Sequence, residues 1–178
     1  AQLGHRRPDL TFVGLRGNIG TRLDRLDGPD GFAAIVMASA ALDRLGLAPD
    51  VVERLDPSVL LPQVGQGALA VECRFGDADT AALLAAVDNP EAHRMVAAER
   101  AFLAELGAGC DLPVAAHAVP TGASEGLEID LCLTGSVSSM DGATLLVEER
   151  TGPDGSALGR AVARNLLDDR GGAALLGR

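Results

Sequence analysis

The sequence has 178 residues, of which 47% are hydrophobic, and a formal net charge of −10. Its length suffices for one large domain or two small ones, and its composition supports a packed core and excludes a disordered chain. All 15 basic residues are arginine, which excludes lysine Schiff-base chemistry. The acidic balance disfavours nonspecific binding to nucleic acid or to an anionic membrane, so neither is expected as a partner.

The three cysteines are Cys73, Cys110 and Cys132. They are odd in number and lack CxxC spacing, which disfavours both a disulfide framework and a zinc site. We therefore expect a reducing, cytoplasmic compartment. Cys73 and Cys132 lie in apolar segments and are predicted to be core residues. The three histidines have no spacing typical of metal ligands, so no metal site is expected.

The first part of the chain alternates short apolar segments with short helices. Apolar runs predict strands at 11–15 and 33–38, and helices are predicted at 21–26 and 40–45. This alternation indicates part of a doubly wound α/β domain with a parallel, buried sheet. Residues 1–7 are typical of the end of a helix and no Met precedes them, so the chain is expected to be a fragment of a longer protein.

A glycine loop at 64–67 leads into a predicted strand that ends at 74, and the chain divides near residue 76. The second part is predicted to be an α+β layer of helices and three antiparallel strands. Asn89 is the expected N-cap of its long helix and Pro90 the first helical residue. The helices are predicted at 80–87, 90–106 and 156–167, and the strands at 114–119, 127–136 and 144–149, with hairpin turns at 121–126 and 141–142.

Cys110 lies in a glycine loop that follows the long helix. Gly107 and Gly109 end the helix, because glycine takes the left-handed conformation at little cost, and Pro113 prevents the helix from resuming. Cys110 is thus expected on a loop tip with room for a covalently attached group. The alternative is a free cysteine that follows a helix end incidentally. The helix before it is predicted to be amphipathic, with a polar face that includes Glu99, Arg100 and Glu105 and with apolar residues at helical spacing, Phe102, Leu103 and Leu106.

Two arginines flank a strand-to-helix turn, Arg16-Gly17-Asn18-Ile19-Gly20-Thr21-Arg22. In open α/β sheets such a turn lies at the edge where ligands bind, and the guanidinium fork suits carboxylates. The turn is therefore a candidate anion site, and a solvated turn with two surface arginines is the alternative. Arg44, at the end of the next helix, either points to the same edge or interacts with the dipole of its own helix.

Six motifs of this sequence occur in an order and spacing that resemble those of hydroxymethylbilane synthases, also called porphobilinogen deaminases. They are residues 15–23, 44–47, 61–68, 72–74, 98–102 and 109–113. The resemblance covers essentially the whole chain and implies three parts. Residues 1–60 would be the remainder of a second, α/β domain of the periplasmic-binding-protein-like type. Residues 61–76 would be a return strand of the first domain, and residues 77–178 the C-terminal α+β domain with the cofactor cysteine.

The resemblance also implies a transferase of tetrapyrrole biosynthesis, which condenses porphobilinogen head to tail into hydroxymethylbilane and releases ammonia at each step. Porphobilinogen and its oligomers would be the partners. A dipyrromethane cofactor would be linked to Cys110 by a thioether, and Arg16, Arg22 and Arg44 would bind the carboxylates of cofactor and chain. By the same resemblance, the catalytic aspartate of the family would lie N-terminal to Ala1, so no catalytic residue is expected in this chain.

We therefore expect the isolated chain to be inactive. Full-length family members are expected to be monomeric, whereas the fragment is expected to self-associate through exposed apolar surface. One alternative function is a small-anion-binding α/β module in which the cysteine is incidental. Another is a thiol-based redox protein, for which the pKa of Cys110 would have to be depressed.

Overall fold

A computed structural model describes residues 1–26, 28, 31–47, 53–107, 112–122 and 130–177. The chain forms two compact units, Asp9–Asp56 on the one hand and Ala1–Pro8 with Pro57–Arg178 on the other. In the described ranges no helix is both long enough and apolar enough to cross a membrane. The helices are α1 (Gln2–Arg6), α2 (Ile19–Leu23), α3 (Ser39–Leu45), α4 (Ala78–Ala85), α5 (Pro90–Glu105), α6 (Gly155–Arg164) and α7 (Gly172–Leu175), and the strands are β1 (Val114–Pro120), β2 (Leu131–Ser138) and β3 (Leu145–Gly152).

Three of the predicted strands are not formed. Residues 11–15, 33–38 and 64–74 contain no hydrogen-bonded strand, so these predictions are wrong for the structure described here. A strand needs a neighbour to satisfy its backbone N–H and C=O groups, and no described segment forms a ladder with them. Their apolar side chains consequently stay exposed, Phe12 by 50%, Val36 by 57% and Leu69 by 79%.

The three predicted strands of the second part form one antiparallel sheet in the order β1–β2–β3. Ala118 lies opposite Leu133, and Gly135 lies opposite Glu148. The predicted turn at Asp141-Gly142 joins β2 to β3. Gly142 has a φ of +75°, which favours glycine, and its N–H donates to Ser139 O at 3.0 Å. The sequence prediction of this hairpin is confirmed.

Helices α5 and α6 pack against one face of this sheet. Helix α5 starts as predicted, with Pro90 in its first turn and the Asn89 side chain accepting from Ala92 N at 3.0 Å. Helix α6 ends earlier than predicted, because the chain widens after Arg164 into a π-helical turn, Asn165–Asp169. The core between helices and sheet consists of the buried residues Ala98, Phe102, Leu106, Ala116, Ala118, Leu131, Leu133, Val137, Leu158, Val162, Ala163 and Leu166.

Candidate functional site

The segment that carries Cys110 is attached to regular structure at both of its ends. Helix α5 ends at Glu105 and is followed by its buried C-cap residue, Leu106. Gly107 comes next, with a φ of +50°, and donates its N–H to Ala104 O at 2.9 Å. On the other side, Pro113 O accepts from Ser138 N at 3.0 Å, which ties the start of β1 to the end of β2. Cys110 itself lies outside the described residues. The predicted helix end before it and the predicted strand after it are both confirmed.

The arginine turn is ordered by hydrogen bonds of its own. The Asn18 side chain caps α2 by accepting from Thr21 N at 2.8 Å. Arg22 Nε donates to Gly17 O at 2.8 Å, so the half-buried Arg22 is folded back along the turn that Arg16 begins. Arg16 is exposed, and its guanidinium group has no hydrogen bond or ion pair to any described residue.

Arg44 lies in the last turn of α3, and its exposed guanidinium group likewise has no partner among the described residues. The neighbouring carboxylate is occupied, because Asp43 accepts two hydrogen bonds from Arg54, at 2.8 and 3.3 Å. The hydrogen bond and charge of Asp43 raise the pKa of Arg54. Asp43 therefore has a cation of its own and does not depend on Arg44.

The other cysteines and the histidines have separate surroundings. Cys73 is exposed, which corrects the prediction that it belongs to the core, because the segment around it has no strand partner among the described residues. Cys132 lies in β2 but is half-buried and is not among the core residues, so the prediction for it is also wrong. Partial burial raises the pKa of its thiol. Among the described residues, no three His, Cys, Asp or Glu side chains are grouped so that they could hold a metal ion.

Two family models match consecutive parts of the chain. Residues 1–82 match the model "Porphobilinogen deaminase, dipyromethane cofactor binding domain", and residues 93–168 match "Porphobilinogen deaminase, C-terminal domain". Both models describe domains of the same family, and they match the chain one after the other. Together they leave only short stretches of the chain unmatched.

Curated relatives give the same result. The porphobilinogen deaminase of Shouchella clausii (strain KSM-K16) is 45% identical over 177 residues, which are 99% of this chain and 55% of the relative. That of Roseiflexus castenholzii (strain DSM 13941 / HLO8) is 44% identical over 177 residues, 99% of this chain and 56% of the relative. That of Bacillus subtilis (strain 168) is 43% identical over 179 residues, 100% of this chain and 55% of the relative.

The two models place the chain in a class of proteins that have a cofactor-binding domain followed by a C-terminal domain. The chain belongs to the porphobilinogen deaminase family. It spans about half the length of the curated relatives that it matches.

Proposed function

We propose that this chain contributes the C-terminal part of a cytoplasmic transferase of tetrapyrrole biosynthesis. The enzyme condenses porphobilinogen units head to tail into hydroxymethylbilane and releases one ammonia for each unit added. The observation that carries the proposal is the match of two successive domain models of one family, over 1–82 and 93–168.

In this proposal Cys110 holds a dipyrromethane group through a thioether bond from its Sγ. When bound, that group supplies the pyrrole terminus to which porphobilinogen units are added. The supporting observation is the placement of the segment between the end of α5 and the start of β1, both of which are anchored. A tether anchored at both ends limits the volume that an attached group can explore, which favours a defined reaction geometry.

The arginines of the Asp9–Asp56 unit fit a group that carries acetate and propionate side chains. Arg16 and Arg44 hold guanidinium groups that no other described residue uses, and Asp43, which could compete for Arg44, is paired with Arg54. Arg22 keeps N–H donors beyond the one that it uses on Gly17. We assign to Arg16, Arg22 and Arg44 the binding of carboxylates, for which the planar guanidinium fork is suited.

We further propose that the chain is divided as the family resemblance implies. Residues 1–60 are then the remainder of a doubly wound α/β domain, 61–76 a return strand of the preceding domain, and 77–178 the C-terminal domain. Exposed apolar side chains at 11–15, 33–38 and 68–74 support this division. In each of these segments the apolar residues are spaced as in a strand or form an apolar run of strand length. In the longer protein they pair with strands that lie outside this chain.

Intact-mass spectrometry of the full-length gene product tests the cofactor. The mass should exceed the sequence mass by two pyrrole units, and the excess should vanish in Cys110→Ser. Cys73→Ser and Cys132→Ser are matched controls that should retain it. An excess that survives in Cys110→Ser, or that is absent from the wild-type protein, contradicts the assignment and favours an anion-binding module with an incidental cysteine.

The family resemblance implies that the catalytic aspartate is not among these 178 residues, so we expect the isolated chain neither to carry the adduct nor to release hydroxymethylbilane from porphobilinogen. A steady-state assay with porphobilinogen measures this directly. Product formation by the isolated chain, at a rate that scales with its concentration, would show that this part of the proposal is wrong.

A further inference from the structure

Among the described strands, β1 is an edge strand that pairs with β2 alone. Every second N–H group of β1 therefore points away from β2 and needs another acceptor. Ala116 N donates to Pro62 O at 3.2 Å, and Ala118 N donates to a side-chain oxygen, Glu99 Oε1, at 3.0 Å. A short backbone segment and one carboxylate thus take the place of a neighbouring strand.

The same carboxylate binds a third part of the chain. Its other oxygen, Glu99 Oε2, accepts from Gly65 N at 2.7 Å, a short bond of the charge-assisted kind. Glu99 is only 7% exposed, and the ring of His117 approaches it, with Nδ1 at 3.8 Å from Oε1. A buried carboxylate is tolerated only when hydrogen-bond donors surround it, and here two backbone N–H groups meet its two oxygens.

The residues that Glu99 joins belong to different family matches. Gly65 lies in the part that matches the cofactor-binding domain model, whereas Glu99 and Ala118 lie in the part that matches the C-terminal domain model. The chain just before Gly65 is also anchored, because the Gln2 side-chain amide donates to Leu61 O at 3.0 Å and accepts from Leu61 N at 2.9 Å. After the turn at 64–67, the described residues 68–74 form no helix or strand.

We propose that Glu99 is a buried clamp that holds the Gly65 turn against the free edge of β1. The clamp joins three segments that are distant in sequence, namely α5, the 64–67 turn and β1. Since α5 leads directly into the segment that carries Cys110, the clamp sets the position of the turn relative to the start of that segment. Its hydrogen bonds are contacts of this chain alone and do not depend on whether Cys110 carries a pyrrole group.

Hydrogen–deuterium exchange of the 178-residue chain, resolved to single amides by mass spectrometry, tests the clamp. In Glu99→Ala the amides of Gly65 and Ala118 should exchange at least about tenfold faster than in the wild-type chain, because both lose their acceptor. Amides of β2 that bond to β3 should keep their rates. Glu105→Gln is the matched control: it alters the same helix, at a carboxylate that pairs with Arg164 on the surface, and should leave Gly65 and Ala118 unchanged.

The isosteric Glu99→Gln variant keeps the shape of the side chain and serves where Glu99→Ala does not fold by circular dichroism. Its amide has one acceptor oxygen and one NH₂ group, so one of the two backbone amides should lose protection while the other retains it. Unchanged exchange at both amides in a folded Glu99 variant would overturn the proposal. So would equal acceleration at Gly65 in Glu105→Gln, since the effect would then be general loosening of α5.

Discussion

Helices α5 and α6 are close enough at Gly159 that no side chain fits between them. A Cβ atom built on Gly159 would overlap Ala98 O, and it would lie 2.8 Å from Phe102 N and 3.0 Å from Ala101 Cβ. Two of these three atoms belong to the backbone of α5, which cannot turn aside as a flexible side chain can. The change Gly159→Ala must therefore push α6 away from α5.

The expected cost follows from two opposing effects. Overpacking a well-packed core costs about 1–3 kcal/mol, and contact with backbone atoms places this site at the upper end. In the opposite direction, alanine in the middle of a helix stabilises the folded chain by about 1 kcal/mol relative to glycine. We expect Gly159→Ala to lower the free energy of unfolding by about 2 kcal/mol, which is about a 30-fold shift toward the unfolded chain.

Urea denaturation followed by far-UV circular dichroism measures this difference, provided that the slope of the transition is the same in both chains. Gly67→Ala is the control, because nothing lies within 4 Å of the Cβ it would add and it should change stability by less than about 0.5 kcal/mol. A Gly159→Ala midpoint equal to or above that of the wild type would refute the helix contact described here.

Three further outcomes are expected. Under the proposed function, Arg44→Gln in the full-length protein should raise KM for porphobilinogen several-fold, whereas Arg164→Gln should not, because Arg164 pairs with Glu105 in the C-terminal part; equal effects in a steady-state assay would remove the distinction. Hydrogen bonds to Asp141 from Ser139 and to Glu148 from Arg150 lower the pKa of both carboxyl groups, so the stability they provide is present above their ordinary pKa values of 3.8 and 4.5 and is lost as the pH falls below them. Urea midpoints should therefore drop between about pH 5 and about pH 2.5, and less so in Asp141→Asn; an identical drop in the variant would exclude a role for Asp141. The isolated chain should self-associate, as measured by light scattering, and Phe75→Ser should reduce this self-association because the Phe75 ring is fully exposed. A monodisperse wild-type monomer would contradict the expectation.

Several elements could be predicted from the sequence because their signals are local. Asn89 before Pro90 indicates a helix start through a hydrogen bond that spans three residues, and the structure contains that bond. Asp141-Gly142 predicts a tight hairpin because glycine readily adopts a positive φ, and the turn is formed there. The order of the six family motifs likewise needs no tertiary structure, and it identifies the family correctly.

The tertiary structure decided the features that depend on distant partners. Three apolar segments were predicted to be strands from their composition, yet a strand exists only where a neighbour completes its ladder, and in the described chain only 114–120, 131–138 and 145–152 have one. Glu99 was predicted to lie on a polar face. It is instead buried, because the N–H groups that satisfy it come from residues 34 and 19 positions away, which helical periodicity does not reveal.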